Sequence, residues 1–173
     1  MDLRAFIRDI PDFPKPGIVF KDMTPLLLHP PALEHTIELL SRYASEREPD
    51  LVVAAEARGF ILGGAIAART GAGFIPARKP GKLPAAVDSV EYALEYGINA
   101  LEVHNDALAG GARVLVHDDL LATGGTSRAL CDLVERAGAE VVGCAFVVEL
   151  AFLEGRKQLE DYDVRSLIRY EEG

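Results

Sequence analysis

Two kinds of hydrophobic pattern alternate along the chain. Continuous apolar runs at residues 51–55 and 140–150 are typical of strands that are buried on both faces of a parallel sheet. In the segments before and after such runs, apolar residues recur every three or four positions, which predicts helices with one buried face. Strands that alternate with helices predict an α/β fold, a doubly wound parallel sheet flanked by helices.

The same patterns assign the other elements. Predicted helices cover residues 2–10, 30–48, 60–69 and 127–137. Predicted strands cover residues 51–55, 74–77, 90–96, 101–104, an apolar run from Arg113, 140–150 and, at one edge of the sheet, 164–170. The residues Gly97-Ile98-Asn99 are predicted to form the turn of a hairpin. Residues 11–22 are interrupted by prolines, so this segment cannot be regular helix.

Composition and charge limit the classes of function. A chain of 173 residues suits a single domain with a full core. The net charge of −9 argues against a nucleic-acid partner, because binding a phosphate backbone requires a basic surface. The N-terminus lacks an apolar signal region, and no apolar run reaches the ~18 residues of a membrane span. Cys131 and Cys144 fall in a predicted helix and strand and are expected to be buried thiols in a reducing compartment, the cytoplasm.

The stretch from Arg113 to Thr126, R-V-L-V-H-D-D-L-L-A-T-G-G-T, carries the strongest chemical signal. An apolar strand is followed by two carboxylates, a small-residue loop and a helix, and the first N–H groups of such a helix bind anions. The loop has neither the lysine of a nucleotide-binding P-loop nor the dinucleotide G-x-G-x-x-G pattern, so a single phosphate monoester fits best. Asp118 and Asp119 are expected just beyond the strand, facing sugar hydroxyls or hydrated Mg²⁺.

Cationic residues follow two other predicted strands. Arg58 lies between a strand and a helix, and Arg78, Lys79 and Lys82 lie in a loop that contains proline and glycine. Each alone is compatible with a surface ion pair or a solvated loop. Ligands of doubly wound sheets bind beyond the carboxyl ends of the strands, so these residues should converge on the phosphate loop. Two anion sites in one cleft favour a substrate with phosphates at two ends.

The string D-D-L-L-A-T-G-G-T resembles the phosphoribosyl pyrophosphate (PRPP) motif of type I phosphoribosyltransferases, in the form found in the adenine-specific branch. Three further strings resemble that branch in the expected order: P-D-F-P-K-P-G-I-V-F-K-D, E-A-R-G and Y-A-L-E-Y-G. The resemblance extends from about Leu3 to about Leu159. His117 is a departure, since the family usually has an aliphatic residue there.

The resemblance implies a role for each motif. The 5′-phosphate would be held by Ala122, Thr123, Gly124, Gly125 and Thr126. The pyrophosphate would be held by Ala57, Arg58 and Gly59, with a cis peptide at Glu56–Ala57, and by the lid residues Arg78, Lys79 and Lys82. Adenine would be held by Val19, Phe20, Lys21 and Leu150. Asp118 and Asp119 would bind the ribose hydroxyls, and Glu95 would act as the acid/base on the purine. From the residues alone, Phe20 could equally be a core anchor and Glu95 a solvated strand residue.

The implied protein is a single domain over residues 1–173, with a hood at about 1–28 and a lid and hairpin at about 78–104. It would transfer the phosphoribosyl group from PRPP to adenine, a reaction of purine salvage that gives AMP and pyrophosphate. Mg²⁺ would be held through PRPP and waters near Asp118 and Asp119, and the enzyme would be a homodimer. Two alternatives stay open. One is a phosphoribosyltransferase for another purine base, and the other is a non-catalytic regulator that senses PRPP or purines.

Overall fold

The computed structural model describes residues 1–93, 98–108 and 110–173. The strands are β1 Arg8–Ile10, β2 Phe20–Asp22, β3 Leu51–Ala55, β4 Gly73–Ala77, β5 Val87–Ala93, β6 Ile98–His104, β7 Arg113–Leu121, β8 Glu140–Leu150 and β9 Val164–Tyr170. The α-helices are α1 Thr24–Leu28, α2 Pro30–Ser45, α3 Gly59–Thr70 and α4 Gly125–Arg136. Short 3₁₀ helices cover Leu3–Phe6, Ala151–Leu153 and Gly155–Leu159.

The main sheet has five parallel strands in the order β4-β3-β7-β8-β9. Side chains alternate between its two faces, and each face carries its own buried cluster. On one face, Val52 and Leu115 pack with α2 and α3. On the other face, Val53 and Val116 pack with α4 and the hairpin formed by β5 and β6. The predicted doubly wound α/β fold is therefore confirmed.

Two smaller sheets flank the main one. β1 pairs with β2, and β5 pairs with β6, both antiparallel. In the described part of the chain, no helix combines the length and the apolar character needed to cross a membrane.

The prediction of a helix over residues 2–10 was wrong. A four-residue 3₁₀ helix ends at Phe6, and Arg8–Ile10 pairs instead with Phe20–Asp22. So short an amphipathic segment has little helical stability of its own, and pairing with a second strand satisfies more of its backbone. Helix α2 also ends at Ser45, before the predicted residue 48, and α1 was not predicted.

Two strand boundaries also differ from the predictions. β7 continues through Asp118 and Asp119 to Leu121, because the long β8 extends the ladder and pairs with Asp118 and Leu120. The two acids are thus inside the strand and not beyond it. In the hairpin, Ile98 and Asn99 pair with Ala93 and Tyr92, so they belong to β6 and not to the turn. Residues 94–97 lie outside the described residues.

Candidate active site

The cleft lies where neighbouring strands lead in opposite directions. β3 continues into α3 and then β4 on one side, whereas β7 continues into α4 and then β8 on the other. The loops after β3 and β7 therefore separate and leave a crevice at the carboxyl edge of the sheet, where doubly wound folds bind ligands.

A cavity of about 320 Å³ occupies this crevice. It is lined by Ala55, Glu56, Ala57, Arg58, Lys79, Tyr92, Asn99, Leu101, Asp118, Asp119 and Thr126. The turn after β3, the basic loop and the acidic pair therefore meet, as the sequence predicted. Arg78 and Lys82 do not line this cavity, and Lys82 is exposed.

Arg58 and Asp119 join the two central loops. The Arg58 Nε donates to Asp119 Oδ2 at 2.5 Å, and the Asp119 side chain is only 9% exposed. Arg58 also lies over the Phe20 ring, with 5.5 Å between Cζ and the ring centroid. The guanidinium is thus positioned between the acidic pair and the N-terminal segment, and among the described residues its other N–H groups have no hydrogen-bond acceptor, so they can donate to an anion.

Asp118 contacts the same turn from β7. A Cβ at Gly59 would lie 2.9 Å from Asp118 Oδ1, so only glycine permits this close approach of α3 to the acid. Burial, reinforced by the neighbouring charge of Asp119, raises the pKa of Asp118 well above its usual range. A carboxyl group in a cleft with a strongly shifted pKa is characteristic of functional sites.

The loop after β7 encloses a second pocket of about 60 Å³. It is lined by Asp118, Leu120, Ala122, Thr123, Gly124, Gly125, Thr126 and Ser127. Gly124 has a φ of +87° and directly precedes the first residue of α4, so the free N–H groups of the helix face this pocket. Asp118 and Thr126 line both cavities and connect them.

Gly155 packs behind the loop after β7, the predicted phosphate loop, and the sequence did not reveal this contact. A Cβ at Gly155 would lie 2.0 Å from the Ala122 carbonyl oxygen and 2.9 Å from the Gly124 nitrogen. In the other direction, a Cβ at Gly124 would lie 2.4 Å from the Gly155 carbonyl oxygen. The two backbones are therefore in direct contact, and the shape of the loop depends on this packing.

Glu56 holds the base of the predicted lid. The Arg78 Nε donates to Glu56 Oε2 at 2.9 Å, and the Lys79 N–H donates to Glu56 Oε1 at 3.1 Å. Burial raises the pKa of Glu56, but these two hydrogen bonds outweigh it and lower the pKa below its usual range. The predicted cis peptide between Glu56 and Ala57 is confirmed.

The hood residues border the cleft but do not line it. Phe20 is half-buried, and Phe13 packs edge-on against its ring with 5.2 Å between the centroids. Val19, Lys21 and Leu150 are absent from the lining of both cavities described above. Glu95 lies outside the described residues, so its predicted role stays a prediction.

Tyr92 and His117 are further residues near the site. The Thr126 Oγ1 lies 3.4 Å from the Tyr92 hydroxyl, which brings the hairpin to the phosphate loop. The buried His117 donates from Nδ1 to the Ala145 carbonyl at 2.9 Å, and its Nε2 has no partner among the described residues. Burial lowers the pKa of His117 to about 4, so the ring is neutral at physiological pH.

The site combines a glycine-rich loop at the end of a strand with an acidic pair, and the comparison with protein families identifies the class of protein that has this combination. The sequence model of the family described as phosphoribosyl transferase domain matches residues 23–171. The chain therefore belongs to the phosphoribosyl transferase family.

Similar proteins narrow the class further. The chain is 56% identical over 172 residues to the adenine phosphoribosyltransferase of Nostoc punctiforme, covering 98% of this chain and 100% of that protein. It is equally identical over 170 residues to the Thermotoga maritima enzyme of the same name, covering 98% of each chain.

Solved structures agree in shape. The adenine phosphoribosyltransferase of Thermoanaerobacter pseudethanolicus superposes with a TM-score of 0.94 at 52% identity, covering 98% of both chains. The Giardia lamblia enzyme complexed with 9-deazaadenine gives a TM-score of 0.93 at 38% identity, covering 99% of this chain and 97% of that chain.

Proposed function

We propose that this protein transfers the 5-phosphoribosyl group from PRPP to adenine, giving AMP and pyrophosphate. The observation that carries the proposal is the two-ended site. A phosphate-sized pocket and a larger cavity with cationic side chains share Asp118 and Thr126. This arrangement suits a ribose that carries phosphate at one end and pyrophosphate at the other. Similarity to adenine phosphoribosyltransferases over 98% of the chain supports adenine as the acceptor.

In the proposed reaction, the bond from ribose C1′ to the pyrophosphate oxygen breaks, and the leaving oxygen keeps the electron pair. Arg58 and Lys79, which both line the cavity, stabilise the negative charge that develops on this group. Ala57, Gly59, Arg78 and Lys82 complete the proposed pyrophosphate and lid region. The ribose becomes oxocarbenium-like, and adenine N9 then forms the new bond to C1′.

The acidic pair stabilises the positive charge on the ribose. Burial and the neighbouring charge of Asp119 raise the pKa of Asp118, so they disfavour its ionised form in the ligand-free protein. A cationic ribose beside it favours the ionised carboxylate, so the attraction is strongest in the transition state. Both acids also accept hydrogen bonds from the ribose hydroxyls in this proposal, and Glu95 accepts the proton that leaves the purine imidazole ring.

The base would be held by the hood. Phe20 would stack on adenine, backbone groups of Val19 and Lys21 would read its edge, and Leu150 would close the other face. Support comes from the position of the Phe20 ring, 5.5 Å from the Arg58 Cζ at the mouth of the cleft. An aromatic ring with backbone donors and acceptors suits a flat, uncharged purine.

The proposal includes Mg²⁺, a homodimer and a cytoplasmic location. Mg²⁺ prefers oxygen ligands and is often bound by one or two carboxylates together with substrate phosphates, which fits Asp118, which lines both cavities, and Asp119, which lines the larger one. When bound, the ion would neutralise charge on the pyrophosphate. The two buried thiols, with 3.8 Å between Cys131 Sγ and Cys144 Sγ, are in keeping with a reducing compartment.

A spectrophotometric assay tests the proposal directly. The protein is mixed with PRPP, Mg²⁺ and adenine, hypoxanthine, guanine or xanthine in turn. We expect turnover with adenine at least tenfold above that with the other bases. A preference for another base would overturn the choice of adenine, and no turnover with any base would favour a non-catalytic sensor.

A further inference from the structure

The hood is built on a sheet of its own. β1 and β2 pair with each other, and in the described residues neither is hydrogen-bonded to the main sheet as a strand neighbour. Backbone pairing therefore does not set the position of the hood over the cleft. Side-chain contacts between the hood and the rest of the molecule, including the main sheet, therefore position it.

Tyr170 provides such a contact at the end of β9. The Lys21 Nζ lies 4.3 Å from the centroid of the Tyr170 ring, and the Arg4 Cζ lies 4.8 Å from it. Lys21 is also paired with Asp9 across the small sheet, at 2.8 Å, and its side chain is only 9% exposed. A partly desolvated ammonium group over an aromatic ring gains more from this contact than an exposed one.

The same tyrosine is paired with the residue that is proposed to close the other side of the base site. Tyr170 is the β-ladder partner of Leu150, the last residue of β8. One residue thus contacts Lys21 through its ring and Leu150 through its strand. These are residues from the two sides between which adenine is proposed to lie.

We propose that Tyr170 is a positioning residue for the base site, which sets the distance between the hood and the end of β8. It acts through Lys21 and does not touch the reacting atoms. The proposal rests on the proposed function, because it requires adenine to bind between these two sides. Loss of the ring should weaken binding of the base and leave binding of PRPP unchanged.

The test compares Tyr170→Leu with Tyr170→Phe, which keeps the ring. Tyr170→Leu should raise the KM for adenine roughly three- to tenfold, the range expected for a partly desolvated cation–π contact. The KM of Tyr170→Leu for PRPP should stay within twofold of the wild type. Tyr170→Phe keeps the ring, so its KM for adenine should equal that of the wild type. Ile168→Val, which trims a core residue of the same strand, is the control for a loss of stability alone.

A second comparison keeps the test informative if Tyr170→Leu also lowers the thermal stability. Lys21→Met removes the cation from the other side of the contact, so it should reproduce the effect of Tyr170→Leu. The double variant should raise the KM for adenine by less than the product of the two single effects, because both substitutions remove the Lys21–Tyr170 contact, although Tyr170→Leu also removes the Arg4 contact and Lys21→Met also removes the pair with Asp9.

Two results would overturn the proposal. One is an unchanged KM for adenine in Tyr170→Leu. The other is an equal rise in both KM values, matched by Ile168→Val, which would indicate a purely structural role. Phe20→Leu separates this failure from failure of the proposed function. If Phe20→Leu also leaves the KM for adenine unchanged, the hood does not bind the base; if it raises that KM, only the role of Tyr170 is lost.

Discussion

The two halves of the proposed site are supported in different ways. The phosphate half is a direct continuation of the main sheet, since its loop joins β7 to α4 and contacts the backbone of Gly155. The base half is carried by the separate β1–β2 sheet and meets the rest through side chains such as Phe20 and Lys21.

This difference matches the chemistry that each half is proposed to perform. A phosphate group is bound by backbone N–H groups, whose positions are fixed only if the loop itself is fixed. In the proposal, a purine is bound by an aromatic ring and by backbone groups at the edge of a strand, and these lie on a small sheet that is separate from the main sheet. Substitutions in the phosphate half should therefore affect PRPP, and those in the hood should affect adenine.

The largest effect is expected at Asp118, which lines both cavities of the site. Asp118→Asn removes a carboxylate that would stabilise the cationic ribose, so kcat should fall by about 10²–10³, as for other groups that stabilise transition-state charge. The stability of the fold should rise in Asp118→Asn, in contrast to the fall in kcat. The raised pKa of Asp118 means that the stability from this group is present at low pH and lost as the pH rises through the folded-state pKa.

The thermal midpoint of Asp118→Asn should therefore exceed that of the wild type at pH 8, and the two should converge at low pH. The measurements are steady-state kinetics and thermal unfolding at several pH values. If Asp118→Asn is both less active and less stable than the wild type at pH 8, the conclusion that Asp118 serves activity at the expense of stability is contradicted.

The next largest effect is expected at His117, in strand β7 below the phosphate half, and it concerns how stability depends on pH. The pKa of His117 is lowered to about 4, so the unfolded chain binds a proton there between pH 6.5 and 4 and the folded chain does not. Stability from this group is present at pH 7 and decreases as the pH falls. Between pH 7 and pH 5 the wild type should lose about 2 kcal/mol of its free energy of unfolding through His117, and His117→Leu should not show this loss.

Urea unfolding of both proteins at pH 7 and pH 5 measures this difference, since other titrating groups contribute equally to the two. An identical pH dependence would show that the His117 ring is not held neutral by the fold.

Gly155 tests the phosphate half itself. Gly155→Ala would place a Cβ 2.0 Å from the Ala122 carbonyl oxygen, so the loop must move. We expect the KM for PRPP to rise about tenfold, consistent with ~1–3 kcal/mol for overpacking, while the KM for adenine stays within twofold. Gly64→Ala is the matched control, since its Cβ would meet nothing within 4 Å. Equal effects of the two variants would contradict a specific support of the loop.

The sequence predicted the elements with strong hydrophobic patterns and missed the contacts that join them. The apolar runs of β3 and β8 and the D-D-L-L-A-T-G-G-T string were sufficient to predict the fold and the position of the loop between β7 and α4. The contact of Gly155 with Ala122 was not predictable, because it depends on how a later segment folds back onto the loop. The first ten residues were mistaken for helix because a strand three residues long has too few positions to show its period.

The smallest effect is expected in the base half. Phe20→Leu removes the ring proposed to stack on adenine and should raise the KM for adenine about three- to fivefold, in line with aromatic contacts of ~0.5–1.5 kcal/mol. The KM for PRPP should change by less than about twofold, because Arg58 loses its contact with the Phe20 ring but keeps its hydrogen bond to Asp119. Phe74→Leu, in the core beside α3, provides a control for replacing a phenylalanine elsewhere in the protein. If only the KM for PRPP rises, Phe20 acts in the phosphate half of the site, and its assignment to the base half is wrong.

The double variant Gly155→Ala/Phe20→Leu tests the independence of the two halves most directly. If each half is supported separately, the KM for PRPP should match that of Gly155→Ala, and the KM for adenine should match that of Phe20→Leu, with coupling below about 0.5 kcal/mol. Coupling above about 1 kcal/mol in either KM would show that the loop and the hood move together, and it would contradict the account of a site built from two independently supported halves.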